Sequence, residues 1–197
     1  MERGRAEGRL KIFASHTGFM NSKLDLLTPN GSENLTLFDR TGLLKAVLAQ
    51  FRISRHGVHG PSHWARVRSH AFTVGKATGA DLLVVELFAF LHDSQRENEW
   101  IDPNHGSRAA EYASSLNRTF FDLNGDQLDM LCLAMRGHSD GGIHHEATIQ
   151  TCWDADRLDL GRVGTKPKAR YLSEEGAKHI DEAYRCSREY QRKFENE

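Results

Sequence analysis

Apolar side chains recur at helical spacing along most of the chain from residue 39 onward. A first buried stripe is formed by Leu43, Leu44, Val47, Leu48 and Phe51. The positions i, i+1, i+4, i+5 and i+8 lie on one face of an α-helix, and Asp39 or Thr41 is placed to cap it. The break RHGVHGPS follows, and Ser62 is the expected cap of a second helix, HWARVRSHAFTVGKA. The pattern therefore predicts helices rather than alternating strands.

A third segment, LLVVELFAFLHD, is apolar on nearly every face, so a helix that starts at Asp81 should lie at the centre of the fold. Its composition also suits a β-strand, but its length and its flanks favour a helix. Further helices are predicted at HGSRAAEYASSL, DQLDMLCLAMRGH and ATIQTCWDADRLDLGRVG, with a long charged last helix at SEEGAKHIDEAYRCSREYQRKF. The expected fold class is all-α, in a single domain.

The domain boundaries and the setting of the protein follow from composition. Residues 1–38 contain the turn-rich stretch TPNGSENLT and are expected to form an N-terminal arm or a poorly ordered segment. Residues 39–197 are expected to form the helical domain, with residues 173–195 as a C-terminal helical extension. No run approaches the roughly 18 apolar residues of a membrane span, and MERGRAEGRLKIF lacks the apolar region of a signal peptide. A cytoplasmic protein without a membrane partner is expected.

Charge and cysteine content exclude several classes of partner and site. The formal net charge is −1 over 197 residues, which makes a nucleic-acid partner unfavourable. The three cysteines are widely spaced and include no CxxC pair, which argues against a disulfide framework or a zinc ribbon. The eleven histidines are many for this length. They direct attention to metal chemistry instead.

The candidate ligands lie close to predicted helix ends. They are His63 and His105 at helix starts, His92, Asp93 and His138 at helix ends, and Asp156 inside a helix. Imidazole and carboxylate ligands together suit Mn²⁺, Fe, Zn²⁺ or Mg²⁺. A carboxylate on the inner face of a helix is costly unless it is paired or metal-bound. The alternative is that Asp154, Asp156 and Asp159 pair with arginines in a surface network, and that His105 and His138 are structural.

Three stretches in order, HWARV, FAFLHD and DADRLDLGRVG, resemble the HD superfamily of metal-dependent phosphohydrolases. The resemblance covers roughly residues 55–165. It implies an HD-type helical bundle with a metal site in a central cleft. It also implies His63, His92, Asp93 and Asp156 as the metal ligands, because in the ADRL form of the motif the ligating aspartate precedes the arginine. Asp154 is thereby passed over as a ligand.

The same resemblance leaves the number of ions open. His105 and His138 fall where dinuclear branches of the superfamily carry ligands, so they bind either a second metal bridged by Asp93 or the phosphates of the substrate. The expected cofactor is one or two divalent ions among Mn, Fe, Co, Zn, Ni and Mg. The chain departs from the HDxxE branch because Gln95 and Arg96 precede Glu97.

A divalent ion lowers the pKa of a bound water towards neutrality and directs the resulting hydroxide at phosphorus. The substrate is then an anion, and arginines near the ligands should receive it. Of the arginines close to the ligands in sequence, Arg66 and Arg96 are selected as phosphate-binding residues over Arg108, Arg157 and Arg162. Glu97, Asp102 and Asp154 are expected to act as a proton donor or as outer partners of the histidines.

The favoured function is a metal-dependent hydrolase of a small phosphorylated metabolite, with a nucleotide as the favoured class. A di-iron HD-type oxygenase would use the same six ligands and is one alternative. A catalytically silent nucleotide-sensing module is the second. A homo-oligomer is compatible with the sequence.

Overall fold

The computed structural model describes residues 38–194, with the side chains described as far as residue 190. Over this range the helices are α1 (Arg40–Gln50), α2 (Pro61–Thr78), α3 (Leu82–Leu91), α4 (His105–Leu116), α5 (Gly125–Gly137), α6 (Ala147–Leu158), α7 (Glu174–Ala177) and α8 (Ile180–Phe194). Two 3₁₀ turns span Asp159–Val163 and Ala169–Tyr171. Within the described range Phe121 forms isolated backbone bridges to Phe38 and Asn117, and no strand forms. The all-α prediction is confirmed.

Helix α3 lies at the centre of the fold, as its apolar sequence predicts. Asp81 caps its first turn by accepting hydrogen bonds from the backbone N–H groups of Leu83 (2.9 Å) and Val84 (3.1 Å). Every residue from Leu83 to Leu91 is buried, and α3 packs against α2, α5 and α6. Because other helices pack around α3, its C-terminal end lies in the interior of the bundle.

The helix starts follow local chemistry. The Asp39 carboxylate accepts from the Gly42 N–H at 2.9 Å and caps α1. The expected Ser62 cap of α2 is wrong, because Gly60 is the cap and Pro61 is the first helical residue. Proline suits that position since its missing N–H would have no intrahelical partner. The correction moves the start of α2 by two residues and keeps His63 in the first turn.

Two predicted helices are broken in the structure. The helix predicted through DLGRVG ends at Leu158, and the 3₁₀ turn that follows is closed by Gly164 at φ 77°. The last predicted helix is divided into α7 and α8. Gly176 of α7 lies against the Asp154 carboxylate, where a Cβ would collide, while α8 buries Ala183 and Ser187 against the Asp159–Val163 turn. Helix α7 packs on Asp154 and helix α8 packs on the Asp159–Val163 turn, and one straight helix does not make both contacts.

The predicted N-terminal arm lies outside the described residues except for Phe38, which is buried in the core. The extension at residues 173–195 corresponds to α7 and α8 over its described part. None of the described helices combines the length and the apolar character needed to cross a bilayer.

Candidate metal centre

Five helix ends converge beneath one cleft and bring the six predicted ligands together. His63 lies in the first turn of α2, His92 caps the end of α3 and Asp93 follows it directly. His105 opens α4, His138 caps the end of α5, and Asp156 lies in the last turn of α6. All six residues are buried. The grouping predicted from the sequence is therefore present in space, while metal ligation itself stays a prediction.

His63, His92 and Asp156 form the first trio. The Nε2 atoms of His63 and His92 are 3.1 Å apart. Oδ1 of Asp156 lies 3.4 Å from Nε2 of His63 and 3.8 Å from Nε2 of His92. The three ligand atoms are close enough to one another to surround a single ion.

Asp93, His105 and His138 form the second trio. The Nε2 atoms of the two histidines are 2.8 Å apart, and Oδ1 of Asp93 is 3.3 Å from that of His105 and 3.8 Å from that of His138. The other oxygen of Asp93, Oδ2, lies 3.3 Å from Nε2 of His92 and 3.5 Å from Nε2 of His63. Asp93 thus presents one oxygen to each trio, the arrangement of a carboxylate that bridges two ions.

The protonation of the four imidazoles is fixed by what their other nitrogens contact. Nδ1 of His63 faces Oδ2 of Asp159 at 2.7 Å. The remaining Nδ1 atoms face backbone carbonyl oxygens, namely those of Phe88 for His92, Asp102 for His105 and Met135 for His138. Since these oxygens only accept hydrogen bonds, each neutral ring carries its proton on Nδ1 and turns a lone pair on Nε2 towards its trio.

This donor set fits a divalent cation. Imidazole nitrogens and carboxylate oxygens are packed within 4 Å of one another with few protons to separate them. Oδ1 of Asp156 is buried and has no hydrogen-bond partner among the described residues. A buried arrangement of this kind is unfavourable unless positive charge enters it. Imidazole nitrogens with carboxylate oxygens are the ligand types of Mn, Fe, Zn and related ions.

The pKa values of His63 and His138 reflect the same surroundings. Burial alone would lower the pKa of His63, but the carboxylates of Asp156, Asp159 and Asp93 around its ring raise the pKa to about 9. In the second trio burial dominates and lowers the pKa of His138 to about 4. The first trio therefore holds a proton at neutral pH where a metal would displace it, and His138 is neutral already.

Asp159 is the outer partner that the sequence reasoning did not select. Its buried carboxylate accepts from Nδ1 of His63, from Nε of Arg66 at 2.7 Å and Nη2 of Arg66 at 3.0 Å, and from Oγ of Ser187 at 2.7 Å. The spacing of Asp156 and Asp159, one helical turn apart, was the available signal. Arg66, predicted to bind phosphate, is placed instead behind His63, and it lines a different depression beside α8.

The other predicted residues fall into distinct places. Arg96 lines the cleft and donates from Nε to Oδ1 of Asp93 at 2.8 Å. Glu97 is exposed and pairs with Arg52 at 2.6 Å. The carboxylate of Asp102 accepts from Arg108, while its backbone carbonyl meets Nδ1 of His105. Asp102 is thus an outer partner through its main chain, and Glu97 contacts neither trio.

Asp154 lies away from both trios. Its carboxylate accepts from Nε2 of Gln150 at 2.7 Å and from the backbone N–H of Ser173 at 3.1 Å. Burial raises its pKa. Neighbouring positions on α6 point about 100° apart, so Asp156 reaches the ligands while Asp154, two positions earlier, turns towards α7. Asp154 therefore holds the segment before α7 in place, and its predicted role as a proton donor or outer partner has no contact with either trio to support it.

A cavity of about 380 Å³ opens onto both trios. Asp93, His138 and Asp156 form part of its wall. Its cationic lining is formed by Arg96, Arg157, Arg162 and Lys168, and its remaining polar lining includes His59, Ser139 and Tyr171. Arg157 and Arg162, which were passed over in favour of Arg66, line this cavity, whereas Arg66 does not. Phosphate binding by any of these arginines stays a prediction.

His59 is a second residue that the sequence reasoning missed. Its Nδ1 lies 2.6 Å from Oε2 of Glu99, and burial lowers its pKa to about 3. It precedes His63 by four residues in HGPSH, a spacing that could have drawn attention to it. His59 lines the cavity, and its ring centre lies 6.4 Å from that of His63 in the first trio.

Comparison with known proteins gives one informative likeness. No protein-family model matches the chain, and no curated protein matches it. Among solved structures it is similar to a predicted HD superfamily hydrolase from an uncultured Thermotogales bacterium, at 26% identity and a TM-score of 0.61, over 80% of this chain and 91% of that one. The ordered motifs, the helical fold and the two buried histidine–aspartate groups agree with that likeness. The chain therefore resembles the HD superfamily in fold and in the order of its motifs, and the likeness supports a metal-dependent hydrolase.

Proposed function

We propose that the protein is a metal-dependent phosphohydrolase of a small phosphorylated metabolite, with nucleotides as the favoured class. The observation that carries the proposal is the cavity that touches both trios and has four cationic side chains in its wall. A cavity with that lining selects an anionic ligand. A phosphoryl group is an anion that both guanidinium groups and a divalent metal centre bind well.

The residues of the two trios are proposed to hold one or two divalent ions, with Asp93 shared between them. Such ions supply Lewis acidity at a phosphoryl oxygen and lower the pKa of a water ligand. Arg96 holds the Asp93 carboxylate in its shared orientation through the 2.8 Å hydrogen bond to Oδ1. Asp159 holds His63 with its Nε2 lone pair turned inward.

Arg162 is the best-placed residue for the scissile phosphate. Its Nε donates to the backbone carbonyl of Val58 at 2.9 Å, and its Nη2 lies 3.7 Å from Oδ1 of Asp156. Its Nη1 is buried and has no hydrogen-bond partner in the described part of the chain. The guanidinium is therefore fixed beside the first trio with an N–H group left for an anionic oxygen, where it would offset charge that builds up during attack on phosphorus.

The size of the cavity favours a metabolite over a polymer. A volume of about 380 Å³ lies at the small end of ligand pockets, which run from about 300 to 1,000 Å³. The formal net charge of −1 gives no general attraction to a nucleic-acid backbone.

The test is metal analysis of the purified protein followed by a phosphate-release screen. Nucleotides and other phosphorylated metabolites would be assayed with Mn²⁺, Co²⁺ and Mg²⁺ under anaerobic conditions. We expect metal-dependent phosphate release that is lost in Arg162→Gln and kept in the matched control Arg136→Gln, whose side chain is exposed outside the cavity.

Two results would reject the proposal. Bound metal with no phosphate release from any compound would favour a nucleotide-sensing module. A product that forms only when O₂ is supplied would favour the di-iron oxygenase.

A further inference from the structure

Arg157 is a buried arginine that is held rigidly in the cavity wall. Only 7% of the residue is exposed. Its Nη1 donates to the backbone carbonyls of Gly142 at 2.7 Å and Tyr171 at 2.5 Å, and its guanidinium carbon lies 5.3 Å from the ring centre of Trp153. Three separate segments thus fix the orientation of one guanidinium group.

The charge of Arg157 has no ion-pair partner within the described residues. No carboxylate there lies within the 4.0 Å of an ion pair, and Nη2 is buried without a hydrogen-bond partner. Arg66 and Arg96, by contrast, are paired with Asp159 and Asp93. The backbone carbonyls accept hydrogen bonds from part of the Arg157 guanidinium group but carry no net charge. A buried and unpaired guanidinium is costly, so an anion from the cavity is the missing partner.

The acidic residues closest in sequence do not supply that partner. Asp154 is occupied by Gln150 and Ser173. Asp156 faces His63 and His92 at 3.4 and 3.8 Å. The contact with the Trp153 ring stabilises a cation less than an ion pair does, and it leaves Nη2 unsatisfied. The requirement for an external anion stands.

Arg157 is also placed differently from the arginines next to the trios. Arg96 contacts Asp93, and Arg162 approaches Asp156. Arg157 is anchored to the segment around Gly142 and to Tyr171, where the exposed Lys168 joins the same cavity wall. The cationic groups of the cavity are therefore anchored in two ways, Arg96 and Arg162 next to proposed ligands and Arg157 on the backbone of Gly142 and Tyr171.

We propose that Arg157, assisted by Lys168, forms a subsite for a second anionic group of the substrate. The class of substrate is a small metabolite with one phosphoryl group for the metal centre and a separate carboxylate or phosphate for Arg157. The inference rests on the proposed function for the first group only. A monoester whose remaining part is uncharged would leave the Arg157 charge unpaired and bind poorly.

The experiment uses pairs of non-hydrolysable ligands that differ only in the second charge. Phosphonocarboxylates of two to four carbons are compared with alkylphosphonates of the same length, by calorimetric titration into the full-length, Mn²⁺-loaded protein. A charge-assisted hydrogen bond to a buried guanidinium corresponds to about a tenfold or larger gain in affinity. We expect that gain for at least one chain length. Equal affinity within every pair overturns the proposal.

Variants locate the effect. In Arg157→Gln the ratio of the two affinities should fall to near one, whereas the exposed control Arg136→Gln should keep the wild-type ratio. Arg157→Lys keeps the positive charge but loses the paired N–H donors of the guanidinium group, so its preference for the phosphonocarboxylate should be smaller than that of the wild type but still above one. A wild-type ratio retained in Arg157→Gln contradicts the assignment. Circular dichroism shows whether Arg157→Gln folds. If it does not, the affinity ratios of the wild type and of Lys168→Gln still test whether the cavity prefers a second anionic group.

The outcomes separate this inference from the proposed function. An Arg157-dependent preference for phosphonocarboxylates without phosphate release from any compound would retain the subsite and reject the hydrolase. Phosphate release with no preference for a second charge would retain the hydrolase and reject the subsite.

Discussion

The two trios use the same kinds of ligand but are held in place differently. In the second trio both imidazoles are oriented by backbone carbonyls of the preceding turn, those of Asp102 and Met135. In the first trio, His63 is oriented by a buried carboxylate that is itself fixed by Arg66 and Ser187. His92 of the first trio is also oriented by a carbonyl, that of Phe88, so the two trios differ through His63. The position of His63 depends on contacts between residues far apart in the sequence, whereas the second trio depends on local helix geometry.

The difference has a consequence for metal affinity. A carboxylate behind an imidazole raises its basicity, whereas a carbonyl only orients it. The carboxylates around His63 raise its pKa to about 9, while burial lowers that of His138 to about 4. We expect the first trio to bind its ion more tightly and the second trio to lose its ion first on dilution or chelation.

The largest effect is expected from the one residue that the trios share. Asp93→Ala removes an oxygen from each trio. Loss of an outer partner costs about 10- to 100-fold in metal affinity or activity, so loss of a shared ligand should exceed about 100-fold in activity. Circular dichroism should show the helices retained, because α3 is held by its apolar faces. Hydrolysis at the wild-type rate by metal-loaded Asp93→Ala would overturn the assignment of the centre.

His105→Ala separates the trios. It removes an imidazole from the second trio and leaves His63, His92 and Asp156 intact. If two ions bind, elemental analysis of the purified variant should show one ion instead of two. One ion in both the wild type and the variant would favour a single ion, with His105 facing the substrate phosphates, and two ions in both would remove His105 from the ligands.

The support behind His63 can be tested with two buried aspartates that lie close in sequence. Asp159→Asn keeps the shape but weakens the acceptor for Nδ1 of His63, so the affinity of the tighter ion should fall by about 10- to 100-fold. Asp154→Asn is the matched control, since Asp154 is equally buried and contacts Gln150 and Ser173 instead. Competition with a fluorescent chelator measures both. Equal losses in the two variants would remove Asp159 from the centre.

The same contrast explains what the sequence could predict. His92, Asp93, His105 and His138 lie at helix ends that follow from apolar periodicity, and the order of the motifs added His63 and Asp156. Local patterns also placed α3 at the centre. These features depend on residues within one or two turns, which a single sequence displays directly.

Partners of charged side chains were not predictable in the same way. Arg66 and Arg162 both lie close to proposed ligands in sequence, but one turns towards Asp159 and the other towards the cavity. That choice is made by tertiary contacts over roughly ninety to a hundred residues. The contact of Gly176 in α7 with the Asp154 carboxylate is likewise a tertiary contact that the local sequence pattern does not display. Proximity in sequence therefore identified the ligands better than it identified the residues that support them.

The smallest expected effect is a pH dependence that differs between the trios. The pKa of His63 in the metal-free protein is raised from 6.5 to about 9, so its charged form contributes stability that is complete below about pH 6.5 and is lost as the pH rises through about 9. An ion entering the first trio must displace that proton, so its affinity should rise about tenfold per pH unit up to about pH 9. The neutral His138 imposes no such cost above about pH 4. Calorimetry at pH 7.5 in buffers of different ionisation enthalpy should therefore detect about one proton released when the tighter ion binds and none when the weaker ion binds. A proton released with the weaker ion and none with the tighter ion would contradict the proposed difference between the two trios.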